Sequence, residues 1–224
     1  MKYRILIVLF LSSVLVLQGC ASKEASVNYN NSETEIVSVN DPLEKVNRVV
    51  FQFNIIFDKL ILRPIALTYR AIVPEFVRNR VTYSLNNLGM PITAVNNVLQ
   101  GELRKAGVST SRFIINSTVG ILGFFDPAAS MGLVSENEDF GQTLAVWGVG
   151  EGPYIMLPGL GPSTLRDTLS KPVSSFLSVT FHMTETDVNI TLKSIDAIET
   201  RERLLDVESL LSGDKYAFVK DAYI

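Results

Sequence analysis

The chain has a single cysteine, Cys20, placed at the end of an uncharged apolar run that begins at Ile5. No disulfide can form within the chain and no multi-thiolate metal site exists, so no covalent cross-link within the chain holds the fold. Lys2 and Arg4 precede the run, which extends to Leu17. A membrane-spanning helix needs about 20 consecutive apolar residues. This run is shorter, and behind its charged leader it reads as the h-region of a signal peptide. The alternative is an uncleaved anchor helix with an incidental cysteine.

Leu17-Gln18-Gly19-Cys20 resembles the lipobox of bacterial lipoproteins. That chemistry needs a thiol at the cut site: the sulfur takes a diacylglyceryl group and the freed Cys20 amine is then acylated. Residues 1–19 are thus expected to be a signal peptide, and Cys20 the lipidation site. Three acyl chains, at about 0.8 kcal/mol per buried methylene, hold a mature N-terminus far more firmly than one. Ala21 follows; in similar lipoproteins an Asp there retains the protein in the inner membrane, so its absence favours the outer membrane. Residues 20–39 carry Ser, Asn, Glu and Thr with few large apolar side chains, and read as a flexible tether spanning about 25 Å.

The mature chain would have 224 − 19 = 205 residues, enough for a sizeable core. Of the whole chain 47% is hydrophobic and mean hydropathy is +0.25. No second segment reaches spanning length, so this apolarity means a large core, a lipid-facing surface, or both. Losing Lys2 and Arg4 leaves 20 − 2 = 18 basic against 23 acidic residues, a net charge of −5. Eight basic and two acidic residues lie between Lys59 and Arg112; seven basic and fifteen acidic follow from Phe113. A basic stretch suits phospholipid phosphate and an acidic one a protein partner, although solvated helix faces give the same counts. The compartment and the net charge disfavour nucleic acid.

The folded part, residues 40–224, opens with Asp41-Pro42-Leu43-Glu44: Asp41 as N-cap, Pro42 at N1, Glu44 closing a capping box. A helix is predicted from there to about Leu62. On a helical wheel Val46, Val49, Val50, Phe53, Ile56, Phe57, Leu60 and Ile61 fill one arc, while Phe51, Ile55 and Leu62 interrupt the polar side. Such a helix can touch hydrocarbon and core at once, or sit buried in an ordinary helical protein. Prolines then punctuate. Pro74 is expected at N1 of a helix Glu75–Leu88, and Pro91 at N1 of Ile92–Gln100, ended by Gly101; Glu102–Val119 follows. Strand-like alternation is scarce, and the fold is predicted to be all-α.

Gly120 to Leu165 differs, being dense in Gly and Pro yet largely apolar around a short helix at Phe140–Trp147. Loops normally run over a wetted surface. A channel lining or a membrane-dipping hairpin explains the composition, as does a pair of buried Ω-loops. Ser163 is predicted to cap the next helix, Val188–Leu211 to be helical, and a short helix to follow Gly213.

Enzyme templates fail on inventory. His182 is the only histidine and sits between Phe181 and Met183. Gly161-Pro162-Ser163-Thr164 does not supply a nucleophile elbow, no His/Cys/carboxylate group has metal spacing, and Gly148-Val149-Gly150 lacks the strand-then-helix setting of a nucleotide site. No catalytic residue, metal or cofactor is expected.

Spaced pieces across Asp41 to Tyr216 resemble the MlaA (VacJ) lipoprotein family. They include Asp41-Pro42-Leu43-Glu44 with Asn47-Arg48 and Phe53-Asn54, Arg63-Pro64, Asn86-Asn87-Leu88, Val95-Asn96-Asn97 through Gln100-Gly101, and Arg112-Phe113 with Asn116-Ser117-Thr118. Phe140-Gly141-Gln142-Thr143-Leu144, Gly148-Val149-Gly150, Gly161 through Asp167, and Ile198-Glu199-Thr200-Arg201 complete the set. Val46, where an aromatic is common, and Lys171-Pro172, where Asp-Pro is frequent, depart from it. The resemblance implies a ring-like helical disc in the inner leaflet of the outer membrane, with Gly/Pro-rich apolar hairpins and a central amphipathic channel. It implies removal of mislocalised phospholipid from the outer leaflet, handed to a soluble periplasmic lipid carrier, beside a trimeric porin. A structural lipoprotein that binds porin or carrier without its own lipid path is the alternative.

A headgroup crossing hydrocarbon needs polar partners, because unpaired charge burial is very costly. The candidate polar wall is Asn47, Arg48, Asn54, Asn96 and Asn97. The candidate gate is Phe51, Gln52 and Phe53 in the first helix, with Gly120, Gly123 and Gly132.

Overall fold

The computed structural model describes residues 41–178, 186–208 and 213–224. The expected signal peptide, the expected lipidation site Cys20, the expected tether and His182 lie outside the described residues. Asp41, predicted as N-cap with Pro42 at N1, instead makes a turn before the helix: its carboxylate accepts the Leu43 N–H at 3.1 Å and its carbonyl accepts the Glu44 N–H at 3.2 Å. The helix proper, α1, runs Glu44–Phe57 with Leu43 at its cap. The predicted capping box does not form, because Glu44 instead accepts the Arg48 Nε–H at 2.8 Å, one turn on. Nor does the helical path stop at Leu62. A π-helical turn, Asp58–Leu62, leads directly into α2, Arg63–Ile72. The widened turn falls just where Pro64 cannot donate a hydrogen bond.

Val73 is extended (φ −96°, ψ 117°), as the residue before a proline must be, and Pro74 caps α3, Glu75–Leu99. The boundary predicted at Pro91 is absent: α3 is one helix of 25 residues with Pro91 inside it. Proline there forfeits one backbone bond, and packing along the neighbouring α4, Leu103–Thr118, outweighs that local cost. Gly101, at φ +82°, makes the turn between them as anticipated.

After α4 come a tight apolar turn, a single-turn helix α5 (Pro127–Ser130) and α6 (Phe140–Val146), the latter capped by Asp139, which accepts the Gln142 N–H at 2.9 Å. The expectation of an all-α fold is then corrected. Strands β1 (Tyr154–Leu157) and β2 (Gly161–Thr164) pair antiparallel, Tyr154 opposite Thr164 and Leu157 opposite Gly161. Three residues turn the hairpin, with Gly159 at φ +73°. The predicted cap at Ser163 is displaced by one residue: Thr164, the last residue of β2, caps α7 (Leu165–Leu177), accepting the Asp167 N–H at 3.2 Å. Helices α8 (Thr186–Leu204) and α9 (Lys215–Tyr223) complete the described fold, which is mostly helical.

The apolar core is small. Phe51 of α1, Tyr154 and Met156 of β1 and Tyr216 of α9 form it, with Val50 and Val219 against them. The Tyr216 ring meets Phe51 edge-on at 5.6 Å and Tyr154 at 6.2 Å. Charge ties α8 to the α2–α3 corner: Glu202, buried, takes Arg70 at 2.6 Å and Arg78 at 3.2 Å, while buried Glu199 accepts the Thr82 hydroxyl.

Candidate functional site

Helix α1 is folded with its apolar arc outward. Val46, Val49, Phe53, Ile56 and Leu60, which the wheel places on one face, are 53–71% exposed, whereas Asn47 on the opposite side is 2% exposed and Phe51 7%. The same inversion holds elsewhere. The most completely buried side chains include Asn47, Asn96, Asn97, Thr93, Thr143 and Ser109, while Leu103, Leu122, Val134, Leu160 and Leu169 each stand at least 66% exposed. Soluble domains do the reverse. A polar interior beneath an apolar exterior suits hydrocarbon surroundings. Among the described residues no helix is long and apolar enough to cross a membrane.

The polar interior is a hydrogen-bonded frame. Asn47 donates from Nδ2 to the Tyr154 carbonyl (3.0 Å) and accepts the Met156 N–H at Oδ1 (2.8 Å). Asn54 repeats the pattern on Leu157 O (2.9 Å) and Gly159 N–H (2.7 Å). Asn96 accepts the Thr143 hydroxyl at 2.8 Å and donates to the Ile92 and Glu138 carbonyls at 2.9 and 3.3 Å. Arg48 pairs with Asp214 at 2.7 Å and lies over the Tyr216 ring at 4.5 Å; Asp214 and Glu44 together raise its affinity for its proton. Burial, with the hydrogen-bonded Asp41 carboxylate, also raises the Tyr216 phenol.

Asn97 differs from the other asparagines. It is buried, donates one long bond to Ser109 (3.5 Å), and its Oδ1 finds no partner. It lines an open cavity of about 440 Å³ with Arg104, Lys105, Val108 and the irregular run from Gly132 to Glu136. Two predicted site residues, Asn97 of the wall and Gly132 of the gate, therefore meet at one cavity. Arg104 and Lys105, which sequence reasoning did not single out, bring the positive charge there. Their signal was two cations opening a helix, where the helix dipole favours anions instead.

The other gate candidates are held differently. Phe51 is in the core, Gln52 is exposed, and Phe53 stacks on Phe57 at 6.3 Å. Gly120 and Gly123 are buried in the turn after α4, where a Cβ would lie 2.4 Å from the Asn116 carbonyl oxygen or 2.6 Å from Asn87 Cβ. Gly132, at φ +77°, faces open space. Sequence reasoning also missed the clamp beneath α5. There the Asp126 carboxylate takes Arg112 Nη2 at 2.7 Å, Asn116 Nδ2 at 2.9 Å and the Ala129 N–H at 3.0 Å. Burial opposes ionisation, yet these donors hold Asp126 below the usual carboxylate range. Among the described residues no group of His, Cys, Asp and Glu could hold a metal ion.

Comparison with known proteins bears on this arrangement directly. Residues 39–224 match the family model described as MlaA lipoprotein. The chain is 36% identical over 214 residues to the intermembrane phospholipid transport system lipoprotein MlaA of Escherichia coli (strain K12), covering 93% of this chain and 81% of that protein. An uncharacterized protein of Rickettsia felis is 38% identical over 201 residues, covering 87% and 80%. A chain solved in a study of the structural basis for maintenance of bacterial outer membrane lipid asymmetry superposes with a TM-score of 0.74 at 37% identity, covering 82% of this chain and 95% of that one. The chain belongs to the MlaA lipoprotein family.

Proposed function

We propose that this chain is a phospholipid-transport lipoprotein of the outer membrane and not an enzyme: it removes mislocalised phospholipid from the outer leaflet and so maintains lipid asymmetry. The relatives named for intermembrane phospholipid transport support this reading. The observation that carries it is the inverted distribution of side chains, with an exposed apolar α1 over buried asparagines. The domain lies in the inner leaflet as a ring-like disc, its apolar surface among acyl chains, anchored by lipidated Cys20.

The headgroup path passes the cavity between Asn97 and Gly132. Arg104 and Lys105 attract the phosphate, and Glu136 and Glu138, on the same cavity, suit the positive end of a zwitterion. Asn47, Asn54 and Asn96 act from behind the wall, keeping the hairpin and α6 in place. Gly132, where an added Cβ would meet nothing within 4 Å, is the hinge of the gate. The partners are a trimeric porin, which fixes the disc in its leaflet, and a soluble periplasmic carrier that receives the lipid.

The test is a deletion strain in which phospholipid in the outer leaflet is measured. Accumulation that the native chain reverses, and that a double variant Arg104→Glu, Lys105→Glu reaching the outer membrane does not, is the expected result. Normal asymmetry in the deletion strain would overturn the reading and leave a structural lipoprotein that binds porin or carrier.

A further inference from the structure

Of the ten arginines among the described residues, eight form an ion pair with a carboxylate; Arg80 and Arg104 do not. Arg104 belongs to the cavity above. Arg80 stands elsewhere, on α3 beside the apolar turn after α4, and its surroundings are unusual for a cation. Its guanidinium lies 4.5 Å from the Phe76 ring centre, 4.7 Å from Phe125 and 5.3 Å from Tyr83. Of its five N–H donors, one reaches the Phe124 carbonyl at a long 3.4 Å, and Nε is buried with no acceptor.

The rim of this aromatic box is apolar and open. Phe76 is 62% exposed and Leu122 71%. The rim is also firmly built. Ile121 and Leu122 take left-handed backbone at φ 53° and 56°, a conformation that a β-branched residue adopts only under constraint. The turn is held by Phe125 N–H on Gly120 O (2.9 Å), Gly123 N–H on Asn116 O (2.8 Å) and the Ser84 hydroxyl on Leu122 O (3.2 Å). Strained backbone thus fixes bulky side chains outward around a cation that lacks an anion.

We propose that Arg80, boxed by Phe76, Tyr83 and Phe125, is a binding site for the phosphate of a membrane phospholipid headgroup. The site is separate from the transport cavity and sets how deep this edge of the domain sits. Guanidinium matches phosphate with paired, charge-assisted hydrogen bonds. Tyrosine, here Tyr83, concentrates at the headgroup level of bilayers, where a cation flanked by apolar Phe76 and Phe125 reaches phosphate while those neighbours enter the acyl region. An inorganic phosphate would gain nothing from the exposed Phe76 and Leu122, so the occupant is a lipid. The inference rests on the reading that this face meets a bilayer.

The experiment is equilibrium binding of dihexanoylphosphatidylglycerol and dihexanoylphosphatidylcholine to the purified full chain in non-ionic detergent, with inorganic phosphate as a third arm. Native chain, Arg80→Gln and Arg80→Lys are compared, and hydrogen exchange over residues 119–125 reports whether the turn stays closed. Both lipids carry the phosphate, so both should lose about tenfold in affinity in Arg80→Gln. Arg80→Lys should lose less, inorganic phosphate should not compete, and exchange should be unchanged. Equal lipid binding by Arg80→Gln overturns the proposal. So does full competition by inorganic phosphate, and so does loss of binding only together with opening of the turn, which would make Arg80 a structural brace. Outer-leaflet phospholipid in the deletion strain is a separate readout, so a failure here is not confused with failure of the transport reading.

Discussion

Asn47 and Asn54 stand two turns apart on α1 and make the same pair of bonds to successive backbone groups of the hairpin: each amide donates to one carbonyl and accepts one N–H, at 2.7–3.0 Å. Spacing of seven residues brings both onto one helix face. Together they extend β1 sideways as a neighbouring strand would, so the hairpin's outer edge is covered by side chains rather than by a third strand. This edge satisfaction lets a two-stranded sheet, marginal on its own, persist against a helix.

Asn47→Ala should therefore cost far more than Asn54→Ala. Removing the Asn47 amide strands the Tyr154 carbonyl and the Met156 N–H, both in a buried setting, at about 1–3 kcal/mol for each orphaned group. Asn54 is half-buried and its partner Gly159 is exposed, so water replaces the lost bonds at about 1 kcal/mol or less. Asn47→Asp should be no better than Ala, since it cannot donate to Tyr154 and places a second carboxylate beside Asp41, now 3.1 Å from Nδ2. Denaturant unfolding of the three variants gives the ranking; equal costs for Asn47→Ala and Asn54→Ala would refute it.

Most helices were legible because Pro and Gly mark their ends: Pro74 opens α3, Gly101 separates α3 from α4, and Gly213 precedes α9. Pro91 carried the same mark and meant something else, because tertiary packing along α3 outweighs a single lost backbone bond. The hairpin was hidden for a different reason. Tyr154, Ile155, Met156 and Leu157 are all apolar, so the alternation of buried Tyr154 and Met156 with half-buried Ile155 and Leu157 leaves no trace in the sequence. Its readable cue was the three-residue Pro158-Gly159-Leu160 connection between two short runs. On α1 the wheel separates out the apolar arc, which the structure turns outward; the buried stripe of Asn47, Phe51 and half-buried Asn54 runs through what the wheel gave as the polar side, where Glu44, Lys45 and Gln52 stay exposed. Asn97 and Gly132 are 35 positions apart, and no local pattern announces that they share a cavity with Arg104 and Lys105.

Two of the candidate gate glycines, Gly123 and Gly132, should separate cleanly. Gly123→Ala forces a Cβ to 2.6 Å from Asn87 Cβ at φ +85°, so packing and backbone both resist, and a loss of about 2–4 kcal/mol is expected. Gly132→Ala meets nothing within 4 Å and should cost only the left-handed backbone, about 1–2 kcal/mol. If the gate hinges at Gly132, this mild variant slows lipid transport more than its stability loss accounts for. Unfolding curves alongside the outer-leaflet assay decide it, and full transport by Gly132→Ala would remove the hinge from the mechanism.

Asp126 makes stability depend on acid in a defined direction. Its folded-state carboxyl is held low despite burial, by Asn116, the Ala129 N–H and Arg112. The stabilisation is therefore complete above the unfolded carboxylate value of about 4 and is lost as pH falls through the lower folded value. Asp126→Asn should be less stable than the native chain at neutral pH, and the gap should narrow below about pH 4. Asp167, held low against burial by Arg166, Tyr223 and Thr164, adds to the same acid loss in both proteins. A gap between native and Asp126→Asn that stays constant from neutral pH to pH 3 would show that the clamp is not charge-dependent.

Cys20→Ala tests the anchor. If Cys20 is the lipidation site, cleavage after Gly19 follows modification of its sulfur, and a chain without that thiol should keep its first 19 residues and remain where the apolar run Ile5–Leu17 holds it. Mass spectrometry should then find the uncleaved 224-residue chain, and fractionation should place it away from the outer membrane. The exposed apolar faces of α1 still favour contact with lipid, but they carry no address. In the proposed reading, acyl chains on Cys20 supply both a stable hold and the entry to sorting. Outer-membrane fractionation with normal lipid asymmetry in Cys20→Ala would mean that the domain finds its leaflet through its own surface, without the lipid.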